Sequence, residues 1–169
     1  MAEEIVNRVA NNKNLITFDL EDYYPNGKRV LFDIKDWLFE GLLLREKEFR
    51  QHAKDHDWSQ YKDQYVALTC SSDAIIPGWA YLLLTSALAH YARKVVVGSL
   101  ETIETILYTE IIANLDVSEF QDKLLIIKGC SNKPVPEGAY IALIQKLQPV
   151  AKSIMYGEAC SSVPLYKRK

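Results

Sequence analysis

The chain is sparing with the residues that most often announce a function. Of 169 residues, three are cysteine, three histidine, seven glycine and six proline. An odd cysteine count leaves no complete disulfide framework, so reduced thiols in the cytoplasm are the expectation. Glycine and proline at these levels exclude collagenous and low-complexity chains. Neither sign of charge dominates: 20 basic against 22 acidic side chains give a net charge of −2, which supplies no electrostatic footprint for nucleic acid. The acidic start, Met1-Ala2-Glu3-Glu4, lacks the character of a signal peptide. No apolar run reaches the roughly 20 residues of a membrane span. The most apolar stretch, Trp79 to Ala92, includes Thr85, Ser86 and His90 and is expected to form a helix buried on every side. There is no Gly-x-Gly-x-x-Gly, no phosphate-binding loop, no His-Glu-x-x-His and no Cys-x-x-Cys.

What is present is an alternation of short strands and helices, read as a single domain over residues 1–169. Leu15 to Glu21 and Arg29 to Ile34 alternate apolar and polar residues around Pro25-Asn26-Gly27, a pattern that predicts an N-terminal β-hairpin. Asp33 is placed to cap a helix over 35–54. Strands follow at 65–69, 94–98 and 124–128, with helices at 77–93, from a Ser99 cap to 114, and at 137–147. The last helix is expected to continue past Pro149 to Tyr156 and stop at Gly157. Apolar strands separated by helices predict an α/β fold: a mainly parallel, mixed sheet with helices on both faces and the hairpin at one edge.

Every cysteine is followed by serine, with a proline a few residues on: Cys70-Ser-Ser-Asp-Ala-Ile-Ile-Pro77, Cys130-Ser-Asn-Lys-Pro134 and Cys160-Ser-Ser-Val-Pro164. Two of these loops follow predicted strands and lead toward helices. In a parallel sheet the carboxyl ends of the strands share one edge, where ligand sites form. A helix N-terminus also favours the thiolate that binds metal or attacks an electrophile. The expectation is a cytoplasmic metal-binding protein using Cys70, Cys130 and Cys160, with Asp73 as fourth ligand. Zinc or iron, an iron–sulfur cluster included, is the implied cofactor. Two rival readings stand beside it. One is a thiol enzyme with Cys70 or Cys130 as nucleophile, and the other an interaction protein whose cysteines are structural. A homo-oligomer is compatible with all three, and neither membrane nor nucleic acid is expected as partner.

Other groups carry less. His52 and His56 stand at helical spacing but, with Asp55 and Asp57 beside them, read as a solvated helix end. His90 reads as a hydrogen-bonded core residue, and Asp19 and Glu21 as the solvent face of a strand.

Three segments, Asp33 to Arg50, Cys70 to Ala80 and Lys128 to Tyr166, resemble an uncharacterised bacterial family, domain of unknown function 2480. The Cys-Ser motifs are the most distinctive part of the likeness. The resemblance carries no established activity onto particular residues. It implies an association with iron–sulfur assembly proteins of the sulfur-mobilisation type as partners.

Overall fold

The computed structural model describes residues 14–129, 132–158 and 161–169. Along the chain lie β1 (Leu15–Phe18), β2 (Arg29–Asp33), α1 (Glu46–Asp55), β3 (Tyr65–Thr69), α2 (Gly78–Leu88), β4 (Lys94–Val97), α3 (Leu100–Ala113), β5 (Leu124–Ile127), α4 (Glu137–Leu147), β6 (Ser153–Glu158) and β7 (Ser161–Lys167). Short 3-10 turns fall at Leu20–Tyr23, Ile34–Trp37, Trp58–Tyr61 and Ser118–Phe120. The strands form two sheets, ordered β1-β5-β6-β7 and β2-β3-β4. Among the described strands every pairing is parallel except β6 with β7. The fold is therefore mixed α/β with mainly parallel strands.

The chain divides into two compact units. A split unit comprises residues up to Tyr24 and from Leu107 on, and an inserted unit runs from Pro25 to Ile106. Each buries its own core. In the split unit, Phe18, Leu125, Ile127 and Ile154 of the sheet meet Tyr108 and Ile112 of α3 and Ala139, Leu143 and Leu147 of α4. In the inserted unit, Phe32, Val66 and Leu68 meet Phe49 of α1 and Ala80, Leu84 and Leu88 of α2. On the opposite face of that second sheet, Arg29 reaches Glu104 of α3.

Three sequence expectations are corrected. β1 and β2 form where expected, but they do not pair with each other: β1 runs parallel to β5 and β2 parallel to β3. The cause is local. Asp19 accepts a hydrogen bond from the Glu21 amide, and Asp33 one from the Lys35 amide, so each strand ends in a capped 3-10 turn. The helix expected over 35–54 begins only at Glu46, because Glu40 (φ 50°) and Gly41 (φ 69°) turn the chain in between. The last helix stops at Leu147, before Pro149, and residues 153–158 form β6. Ser99 caps α3 as expected: its hydroxyl accepts from the Thr102 amide at 3.3 Å, and its own amide donates to Thr102 Oγ1 at 3.1 Å.

The two units are copies of one plan. Phe18-Asp19-Leu20-Glu21-Asp22-Tyr23 recurs fourteen positions on as Phe32-Asp33-Ile34-Lys35-Asp36-Trp37. From α1 onward the equivalence is a constant shift of 59. It pairs Phe49 with Tyr108, Leu84 with Leu143 and Leu88 with Leu147, all fully buried. Asp63 and Asp122 share a positive φ, 60° and 58°, as do Gly98 and Gly157, 138° and 124°. Even single backbone bonds repeat: Asp63 N–H to Tyr91 O and Asp122 N–H to Val150 O are both 2.9 Å. The unit is strand, 3-10 turn, helix, 3-10 turn, strand, helix, strand. One whole copy is inserted into the other between its first 3-10 turn and its first helix.

Candidate functional site

Cys70 follows β3 directly and lies eight residues before the first residue of α2, packed against the same core cluster as Trp79 and Tyr81 of that helix. Its sulfur is half-buried and turned into its own loop, 3.3 Å from Ser72 Oγ and 3.7 Å from Ser72 O. Asp33 closes the loop from the side by accepting the Ser71 amide at 3.0 Å. Burial works against the Asp33 carboxylate, but the hydrogen bonds from Ser71 and Lys35 outweigh it and hold this carboxyl below its ordinary range. Asp73 is exposed.

The equivalent loop of the split unit is tied down by different means. Lys128 Nζ donates to Asp19 at 2.7 Å, and Glu21 accepts the backbone amides of Asn132 and Lys133, the latter at 3.1 Å. Asp19 and Glu21, expected on the solvent face of a strand, are thus loop anchors. Cys130 and Cys160 lie outside the described residues.

The metal-binding expectation is overturned. Among the described residues no three His, Cys, Asp or Glu side chains are grouped so as to hold a metal ion. Cys70 joins no such group, because its sulfur is engaged by Ser72 and its neighbour Asp73 faces solvent. A three-cysteine zinc or iron–sulfur role, with Asp73 as fourth ligand, is not supported.

His52 is exposed in the last turn of α1, as expected of a solvated helix end, whereas His56 is half-buried. Trp37 stacks on His52 with centroids 5.6 Å apart, and His56 is surrounded by Phe32, Trp37, Trp58 and Tyr61 at 4.7–5.7 Å. The Tyr61 hydroxyl lies 3.0 Å from His56 Nε2 and the Gln60 amide 3.2 Å. Burial lowers the His56 pKa, against the opposing charge of Asp57. The cluster packs the inserted unit's core through rings that are half in water. A small cleft of about 110 Å³ in the split unit is lined by Phe18, Asp19, Asp22, Tyr23, Glu119 and Phe120. There burial, with Glu119 and Asp22, raises the Tyr23 pKa.

The feature furthest from ordinary surface chemistry is α2. The expectation of a helix buried all round is corrected: Ala80, Leu84 and Leu88 are buried, whereas Leu82 is 72% exposed and His90 lies in the open beyond the helix end. Yet residues 74–92 contain no Asp, Glu, Lys or Arg. The outward face of α2 is therefore Gly78, Leu82, Thr85 and Ser86, with no charge to keep it in water. Its copy α4 presents Glu137, Gln145 and Lys146 around the equivalent Ile141. The solvent face of a surface helix ordinarily carries charged side chains, and this one has only the hydroxyls of Thr85 and Ser86.

These features define an α/β protein with two copies of one strand-helix unit and an uncharged helical face on the inserted copy. The chain belongs to a family described as proteins of unknown function, DUF2480, whose model matches residues 3–168. No curated protein and no solved structure matches it. Among the described residues no helix is long and apolar enough to cross a membrane.

The repeat is the signal in the sequence that points to this difference between α2 and α4. Phe-Asp-aliphatic-x-Asp-aromatic occurs twice within twenty residues. The Cys-Ser steps do not follow the repeat: Cys70 and Cys130 stand one position out of register in the shift of 59.

Proposed function

We propose that this protein is an interaction module that docks a protein partner on the uncharged face of α2. One observation carries the reading: Leu82, 72% exposed, is centred in a nineteen-residue stretch without a charged side chain. Leaving one large apolar side chain exposed forgoes about 1.5–3 kcal/mol of burial, and a partner surface recovers it. α4 is the internal control. It has the same fold and the same position, and its equivalent apolar residue sits among charged and amide groups. Three cysteines without a complete pairing fit a reducing compartment, and the cytoplasm is the proposed location.

The test is a photo-crosslinking residue placed at position 82 or 141 of the full chain in living cells. The expected outcome is a protein adduct from position 82 at several times the yield from 141. Equal yields, or none from 82, would overturn the reading.

A further inference from the structure

Unit-by-unit comparison exposes a second difference beside α2. β6 carries β7 antiparallel along its outer edge. β4 is the counterpart of β6 under the shift of 59, and among the described residues it pairs with β3 alone, so its outer edge is open. An open edge is a template for strand addition, which chains commonly block with proline, charge or a bulge. β7, itself an edge strand, has such protection: Pro164 interrupts it and its register shifts opposite Ile154 and Met155. β4 has none over Val95-Val96-Val97, and Val97 is 56% exposed.

The two features adjoin. α2 packs against β4. Its Trp79 meets Phe49 of α1 at 5.8 Å, so that flank of the helix faces α1. Going round the helix from Trp79, the exposed residues Ser86, Leu82 and Thr85 follow in turn, leading away from that flank.

We propose that the occupant of this face is a second copy of the chain. Two β4 strands pair antiparallel about a two-fold axis at Val96, joining two three-stranded sheets into one of six strands with the two α2 helices side by side above it. This deepens the docking reading and rests on it. The antiparallel sense is the one β7 already adopts on β6. The parity is also right. Gly98 donates its amide to Leu68 of β3, so the amides of Val95 and Val97 point outward. A two-fold at Val96 sets Val95 of each copy opposite Val97 of the other. It places Lys94, the only charged residue of the strand, opposite Gly98, so no like charges meet. An uncharged α2 face meets its own copy on the same terms.

The test is sedimentation of the purified full-length protein, with Leu82→Glu, Val97→Asp and, as control, Ile141→Glu. All three sites are more than half exposed, so each variant is expected to keep the wild-type melting temperature. The wild type and Ile141→Glu are expected at about twice the chain's 19.3 kDa, and Leu82→Glu and Val97→Asp at the monomer mass, with dissociation constants raised at least tenfold. A wild type that is monomeric at tens of micromolar, or a dimer indifferent to both substitutions, would overturn the proposal. If the purified wild type is monomeric while position 82 crosslinks to a different protein in cells, the second copy is excluded and the docking reading stands. If neither is seen, both fall.

Discussion

Arg29 of β2 and Glu104 of α3 meet through two hydrogen bonds, Nε to Oε1 at 2.6 Å and Nη2 to Oε2 at 3.1 Å, with both side chains about nine-tenths buried. The guanidinium also donates to the carbonyls of Pro25 and Gly27 and lies over the Tyr65 ring. Removing the carboxylate strands this cation in the interior. Glu104→Ala is expected to cost about 3–5 kcal/mol in urea unfolding, and the double replacement Arg29→Met, Glu104→Leu to recover most of that. A single-variant loss under about 1 kcal/mol would show that the pair is solvated.

The duplication makes a paired forecast. Leu84 and Leu143 occupy the same place in the two cores and are both fully buried. Leu84→Ala and Leu143→Ala are each expected to lower unfolding free energy by about 2–5 kcal/mol. Hydrogen exchange should show each loss concentrated in the mutated unit's own sheet. A Leu143→Ala effect that falls mainly on β3 would contradict two separately cored units.

Stability should fall in mild acid because of His56. Burial lowers its pKa, so the unfolded chain takes up the proton at a higher pH than the folded one. The contribution is complete above about pH 6.5, the unfolded value. It declines as pH drops through that value and levels off below the depressed folded one. A His56→Phe variant should lose this slope in melting temperature. The loss from Asp33, whose pKa is also lowered, belongs below about pH 4 and should remain in that variant. Identical profiles for wild type and variant between pH 7 and 5 would contradict the assignment.

Strands and helices were legible in the sequence wherever local signals agreed with packing. Tyr65 to Thr69 is an apolar run in the centre of its sheet, and Ser99 caps α3 through Thr102. Pairing was not legible, because Pro25-Asn26-Gly27 satisfies the rule for a hairpin turn. Only the capped 3-10 turns at Asp19 and Asp33, together with distant partners, send β1 and β2 into separate sheets. The helix expected through Pro149 failed for a related reason. Apolar spacing over 153–156 suits a buried strand as well as a helix, and β5 decides the matter. The site was misread because Cys-Ser repetition is a pattern of letters. The sulfur of Cys70 is held by its own loop, and a charge-free helix such as α2 has the sequence of a core element although its Leu82 is exposed.

The most direct measurement is amide hydrogen exchange at Val95 and Val97 in the full-length protein, compared at low and high concentration. A β4 edge paired between copies makes these outward amides slow at high concentration and faster on dilution. Leu82→Glu should return them to the rates of an open strand edge at every concentration. Exchange at open-edge rates in the wild type at every concentration would contradict the account.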